Sequence, residues 1–250
     1  MQDLDQAIIG QLVAENYRTA AIFRKFNIDF CCNGNRSIAD ACRQKNIDPA
    51  TVTAQLAAVL TQQQDSAADY NSWPLDALTG HIRQKHHRYV EEQIPVLEAY
   101  LHKLCSVHGN DHPELALIFD LFRASAGELI MHMKKEELML FPYIERMVQS
   151  VSEQAPLPPP AFGSVSNPIA MMMQEHDQEG ERFRKIQELS NDFSVPPDGC
   201  NTYRVTYALL KEFQDDLHLH IHLENNILFP KAGRMEESMS MTGNSCSIQR

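Results

Sequence analysis

Apolar residues recur along most of this chain at steps of three and four, the spacing that lines one face of an α-helix. One seam runs through Ile118, Phe122, Ser125, Leu129, His132, Glu136 and Leu140. Another runs through Leu210, Phe213, Leu217, His220, Glu224 and Leu228, and a third through Val90, Ile94, Leu97 and Leu101. Glycine is scarce, and no run alternates apolar and polar residues as a half-buried strand would. The pattern predicts an all-α chain whose long helices cover roughly 74–107, 113–149, 166–192 and 200–234. His108–Pro113 and Asp192–Gly199 are short breaks within each half, whereas Ser150–Pro168 is a longer, proline-bearing connection between the halves. That arrangement of loops predicts an up-down-up-down four-helix bundle.

Ahead of the bundle, residues 1–62 read as a small N-terminal helical module. Its first helix is expected to pass through Leu12, Tyr17, Ile22, Phe23 and Phe26, before a turn containing Asp29-Phe-Cys31-Cys32-Asn-Gly. Ser37 and Asp40 approximate a capping box, and Asp48-Pro49 gives an N-cap followed by proline at the first helical position. Gln62–Ser72 is polar and reads as a linker, which places the bundle at 73–234. Met235–Arg250 is rich in Ser and Met without an apolar face and is expected to be a mobile tail.

Two of the seams carry groups that do not belong in a hydrophobic core. His132-Met-Lys-Lys-Glu136, followed by Leu140-Phe141-Pro142, recurs as His220-Ile-His-Leu-Glu224 followed by Leu228-Phe229-Pro230. A spacing of four on an α-helix puts each His and Glu on one face. Leaving a buried carboxylate without a partner costs several kcal/mol, against a net domain stability of about 5–15 kcal/mol. No arginine falls on either seam, so a bound di- or trivalent cation is the simplest neutralising partner. The other two helices offer His176 and His87, which precede His220 and His132 by nearly equal intervals. His87 shares the seam of Val90 and Ile94; His86 is the alternative.

The resulting set, His87, His132, Glu136, His176, His220 and Glu224, suits two metal ions bridged by carboxylates. Imidazole and carboxylate without thiolate fit iron, manganese or zinc, with iron preferred here. Glu128, one turn before His132, and Glu175, beside His176, are candidates for a proton relay or access channel. His218 and His222 fall off the seam and read as surface residues. His81, His102, His108 and His112 lie at helix ends and read as solvated, and Met171–Met173 reads as packing.

The formal charge of −11 argues against nucleic acid or an anionic membrane as partner. No apolar run is long enough to span a bilayer, and the acidic start lacks a secretory pattern, so a cytoplasmic location is expected. The 6 cysteines show no zinc-type spacing. Cys31 and Cys32 are adjacent, too close in the chain for a structural bridge, which leaves a reactive or metal-capturing dithiol.

Three stretches carry a resemblance: Phe23–Cys32, with its Asp-Phe-Cys-Cys element, Met131–Pro142, and His220–Pro230. Together they resemble the RIC (repair of iron centres) family, and residues 73–234 resemble its hemerythrin-like HHE cation-binding domain. The resemblance implies a non-haem di-iron centre, carboxylate- and oxo-bridged, on His87, His132, Glu136, His176, His220 and Glu224. It also implies functional roles for Cys31, Cys32, Glu128 and Glu175. The implied role is repair of iron–sulfur clusters damaged by nitrosative or oxidative stress, as a repair metalloprotein rather than a turnover enzyme. Iron donation or nitric oxide binding and reduction would serve that role. The partners would be damaged iron–sulfur proteins or an assembly scaffold, with nitric oxide or oxygen as small ligands, and a homodimer is compatible with the family. Two other readings share the bundle: a hemerythrin-like oxygen or nitric oxide sensor, and a metal-free interaction bundle. The tail with Cys246, and His86 where the family suggests Tyr, depart from the pattern.

Overall fold

The computed structural model describes residues 4–61 and 69–245, and every regular element among them is helical. The chain forms two compact units, Met1–Leu78 with Ile221–Arg250, and Thr79–His220. The linker expected at Gln62–Ser72 lies mostly outside the described residues. No helix among the described residues is long and apolar enough to cross a membrane.

The first unit opens with α1 (Ile9–Glu15), α2 (Thr19–Lys25), α3 (Ile38–Lys45) and α4 (Pro49–Leu60). The single helix expected through Leu12 and Phe26 is instead broken at Asn16, which is extended at φ −149°. Asn16 Oδ1 accepts the Arg18 N–H at 3.1 Å, and its carbonyl accepts the Thr19 hydroxyl at 2.7 Å. A short polar side chain thus competes with the helix for the backbone and wins. The caps follow the sequence pattern: Ser37 accepts the Asp40 N–H and Asp48 the Ala50 N–H, both at 3.1 Å. Ile9, Val13, Phe23, Ile38 and Leu56 are fully buried and form the core of the module.

Gly10 and Gly34 are needed for a close approach of two backbones. The Gly10 N–H donates to the Gly34 carbonyl at 2.7 Å. A Cβ on Gly34 would lie 2.3 Å from the Phe30 carbonyl oxygen, and one on Gly10 would lie 2.2 Å from Asn226 Oδ1.

The chain continues with α5 (Leu75–His81), α6 (Arg88–His108), α7 (Glu114–Lys135), α8 (Phe141–Glu153), α9 (Ser166–Leu189), α10 (Asn201–Leu223) and α11 (Phe229–Ser245). The long helices expected from the seams are present, but three contain a widened π-helical stretch: Ile82–His87, Glu136–Leu140 and Glu224–Leu228. Pro142 and Pro230 stand just after two of these stretches. Proline has no N–H to give to the preceding turn, and a wider turn accommodates the missing bond without ending the rod. No proline follows the first stretch closely, and nothing in the structure explains it.

Within the Thr79–His220 unit, Phe213 is the hub of the bundle core. It packs edge-on to Phe122 at 5.4 Å and stacks on Phe183 at 5.6 Å, so α10 meets α7 and α9 there. Tyr89 of α6 lies 6.1 Å from the same ring. Removing such a fully buried ring costs about 3–5 kcal/mol. The proline-bearing connection is held by Phe162, edge-on to Tyr143 of α8 at 5.2 Å.

Where the sequence suggests a tail from Met235, α11 runs on to Ser245. No proline interrupts it, and the Ser238 and Ser240 hydroxyls donate to the Met235 and Glu236 carbonyls at 2.8 and 3.0 Å. Cys246 lies outside the described residues.

The Gly34 contact gives a direct test of the module. Gly34→Ala must push a methyl against a backbone carbonyl, a cost of about 1–3 kcal/mol by the usual scale of overpacking. Chemical denaturation of the variant should show that loss, and an unchanged midpoint would contradict the close approach.

Candidate metal centre

Each expected ligand of the Thr79–His220 unit stands on a different turn of the bundle. His87 ends the first π stretch, His132 lies in the last turn of α7, and Glu136 opens the second π stretch. His176 lies mid-way along α9 and His220 near the end of α10. All five are at most 3% exposed.

Their ligand atoms converge as two groups sharing one carboxylate. His87, Glu136 and His220 each contribute an atom within 4.8 Å of the others, and so do His132, Glu136 and His176. Glu136 Oε2 lies 3.3 Å from His87 Nε2 and 3.4 Å from His132 Nε2. His132 and His176 bring their Nε2 atoms to 3.0 Å, with rings tilted at 54°. His87 and His220 rings are 4.9 Å apart at the same tilt. Several lone-pair donors thus face one small buried space, an arrangement a shared cation neutralises.

Two imidazoles are oriented from behind. His87 Nδ1 lies 2.9 Å from Glu137 Oε1, and His132 Nδ1 lies 2.8 Å from Glu175 Oε2. A ring N–H donated outward leaves the Nε2 lone pair aimed inward, as metal-ligating histidines require. Lysines anchor both carboxylates: Lys134 Nζ lies 3.1 Å from Glu137, and Lys135 pairs closely with Glu175. The bond from His132, reinforced by Lys135, lowers the Glu175 carboxyl to about 2 even though burial opposes it. Burial likewise disfavours an ionised Glu137, but the bonds from His87 and Lys134 outweigh it and hold that carboxyl below the usual range.

His86 is fully buried but belongs to neither group. Its Nδ1 meets Asp216 Oδ1 at 2.9 Å, and its ring stacks on His220 at 5.6 Å. Of the two histidines left open by spacing, His87 is therefore the one whose nitrogen joins the donors. Glu128 is not brought to the centre: its side chain is 54% exposed and pairs with Arg182 at 3.0 Å. The buried carboxylate on that side is Glu179, which sequence reasoning missed although it follows His176 by one turn on the same seam. Glu137 was missed too, hidden beside its more conspicuous neighbour.

Glu224 follows His220 by four residues and is fully buried at the start of the third π stretch. It belongs to the first unit, and the same stretch holds the cysteine turn there. Asn225 and Asn226 Nδ2 donate to the Cys31 carbonyl at 3.3 and 3.4 Å. Asp29 Oδ1 accepts the Cys31 and Cys32 N–H groups at 3.1 and 3.0 Å, and Asn33 binds Asp29 Oδ2 at 2.8 Å. Neither cysteine is in a disulfide, their sulfurs lie 3.8 Å apart, and Asp29, Cys31 and Cys32 form a third group of converging donors. The bond to Cys32, then burial, then the negative charges of Cys32 and Asp29 push the Cys31 thiol well above its ordinary value.

His222 corrects the sequence reading. Expected on the surface, it is 1% exposed, with its ring 5.9 Å from both Tyr17 and Phe30 and its Nδ1 bonded to Asn226 at 3.1 Å. Burial lowers it to about 3. The aromatic cover comes from far along the chain, so local spacing gave no sign of it.

Residues 80–232 match the family described as the Hemerythrin HHE cation binding domain, and residues 5–60 match ScdA_N, described as a domain of unknown function. The chain is also similar to proteins called iron-sulfur cluster repair protein YtfE. That of Musicola paradisiaca is 36% identical over 235 residues, 91% of this chain and 96% of the relative. That of Yersinia pseudotuberculosis is 36% identical over 230 residues, 91% and 97% of the two chains. That of Shigella boydii is 34% identical over 224 residues, 90% and 95%.

The depressed Glu175 carboxyl sets a pH dependence for the metal-free protein. With a folded value of about 2 against an ordinary 4.5, its contribution is fully present above pH 4.5 and is lost as pH falls toward 2. The stability gap between wild type and Glu175→Gln, measured by urea denaturation, should therefore shrink across that window. A gap independent of pH would contradict the His132–Glu175 bond.

Proposed function

The chain belongs to the YtfE family of iron–sulfur cluster repair proteins, and from that premise we propose that it is a di-iron protein acting in repair of damaged iron–sulfur clusters. The observation that carries the reading is Glu136, fully buried and common to two groups of donors. A carboxylate shared in that way suits a bridge between two ions. Glu224, one helical turn beyond His220 and also fully buried, supplies the second carboxylate by the same His–Glu spacing.

The ligand set is then His87, His132, Glu136, His176, His220 and Glu224, nitrogen and oxygen donors without thiolate, which suits iron. Two non-haem irons held there would supply redox and Lewis-acid chemistry toward nitric oxide or oxygen, and a store of iron for a damaged cluster. Glu137 and Glu175 keep the His87 and His132 rings in the tautomer that faces inward. Glu136 and Glu224 would be the carboxylates that hold the irons and balance their charge. Cys31 and Cys32 would hold iron on its way to the client; Cys31 must first give up the proton that its buried, anionic surroundings retain. No cysteine among the described residues is in a disulfide, which suits the reducing cytoplasm.

Iron content and repair are measured together to test the reading. The purified chain should hold about two irons, as expected for a carboxylate-bridged pair, and should reactivate a nitrosylated iron–sulfur enzyme. Replacing both Glu136 and Glu224 with Leu should abolish iron retention and repair together. Full iron occupancy after both substitutions would refute the ligand assignment. Cys31→Ala with Cys32→Ala should leave the iron content intact and lower repair.

A further inference from the structure

The cysteine turn of the first unit presents three donors at the spacing of a coordination shell. Cys31 Sγ lies 3.8 Å from Cys32 Sγ and 3.4 Å from Asp29 Oδ1, and ligand atoms of all three fall within 4.8 Å of one another. A tetrahedral ion bonds to sulfur at about 2.3 Å and to carboxylate oxygen at about 2.0 Å. Such an ion holds two sulfurs about 3.8 Å apart, and a sulfur and an oxygen about 3.5 Å apart. Two edges of that tetrahedron are already present in the turn.

The turn also keeps the donors in place. The Cys31 and Cys32 N–H groups donate to Asp29 Oδ1 at 3.1 and 3.0 Å, and Asn33 Nδ2 donates to Oδ2 at 2.8 Å, which fixes the carboxylate plane. Asn226 Nδ2 donates to the Phe30 and Cys31 carbonyls at 3.4 Å, and Asn225 Nδ2 to the Cys31 carbonyl at 3.3 Å. Hydrogen bonds that orient ligands in advance are what a metal site requires. The turn alone needs Asp29 but not the sulfurs, since any small side chains at 31 and 32 leave the same backbone bonds intact. Two ionisable thiols beside a carboxylate make one another harder to ionise, and a divalent ion among them removes that repulsion. Cys31 is 4% exposed and Cys32 half-buried, so the group has a shielded side and a side that reaches solvent.

We propose that Asp29, Cys31 and Cys32 form a mononuclear site for a divalent transition-metal ion, with Asp29 as the third protein ligand and water at the fourth corner. This rests on the reading that the cysteines hold iron for a client, and it names the donor and the geometry which that reading leaves open. As Fe2+ enters, each thiol releases its proton to solvent, two Fe–S bonds and one Fe–O bond form, and no electron is transferred. Mixed thiolate and carboxylate donors suit Fe2+, Co2+ or Zn2+ rather than Mg2+ or Ca2+. The water corner lets a client's ligand bind before a protein ligand leaves, so the ion passes on by exchange. For the same reason, protein purified without free metal keeps only the ions of the His–Glu centre.

The test titrates full-length, iron-loaded protein with Co2+ under anaerobic conditions. Sulfur-to-cobalt charge-transfer absorption reads this site apart from the His–Glu centre, whose ligands include no thiolate. Equilibrium dialysis with elemental analysis counts cobalt and iron. Wild type should bind about one further Co2+, with that absorption and the visible ligand-field bands of a tetrahedral ion. Asp29→Asn, whose amide oxygen still accepts the backbone bonds, should bind Co2+ at least about tenfold more weakly at unchanged iron content. Asp29→Ser, whose hydroxyl also accepts a backbone bond, gives the same test if Asp29→Asn does not fold. Wild-type affinity in the Asp29 variants would overturn the inference and leave the cysteines as metal holders. A charge-transfer band that survives Cys31→Ser with Cys32→Ser comes from another cysteine and would overturn the site. No such band in wild type, with the iron retained, would overturn both the site and the cysteines' role while the His–Glu centre stands.

Discussion

The structure depends on a carboxylate that a helical bundle does not tolerate by itself. Glu136 is fully buried, and His87 and His132 present nitrogens to the same one of its oxygens at 3.3 and 3.4 Å. Neutral imidazoles cannot discharge a carboxylate, and charging them would add the cost of burying cations. A metal ion would do both tasks in one step, using the imidazole lone pairs and cancelling the carboxylate charge. The surrounding apolar seam, from Phe122 and Phe213 outward, stabilises the bundle enough to hold these polar groups in place.

The widened turns tie the ligands to their surroundings. Glu136 and Glu224 each open a π stretch that ends before a Phe-Pro pair, so the repeated motif encodes a local backbone form as well as two side chains. In the first unit, the stretch that carries Glu224 also carries Asn225 and Asn226, which hold the Cys31 carbonyl. Any movement of that stretch is felt by the cysteine turn through two hydrogen bonds. One short segment thus carries a buried glutamate and the two asparagines that hold the cysteine turn.

Much of this was legible in the sequence because the seams are long and regular. The step of three and four located the helices, and polar residues on an apolar seam located His132, Glu136, His220 and Glu224. Spacing left His86 and His87 undecided, since a π stretch there allows both to be buried, and only the direction of each ring separates them. His222 escaped notice because its cover, Tyr17 and Phe30, comes from the other end of the chain. Glu179 looked like one more charge on a polar helix, and only Ser125 and Arg182 reveal it as interior. The break at Asn16 turned on a single Asx hydrogen bond, too local for a periodic pattern to register.

The most direct measurement is the Mössbauer spectrum of the iron-loaded full chain beside that of its Glu136→Gln variant. A shared carboxylate predicts a magnetically coupled iron pair in the native protein, and the change at Glu136 should disturb both sites together. Isolated mononuclear iron, or a coupled pair untouched by the substitution, would contradict the account.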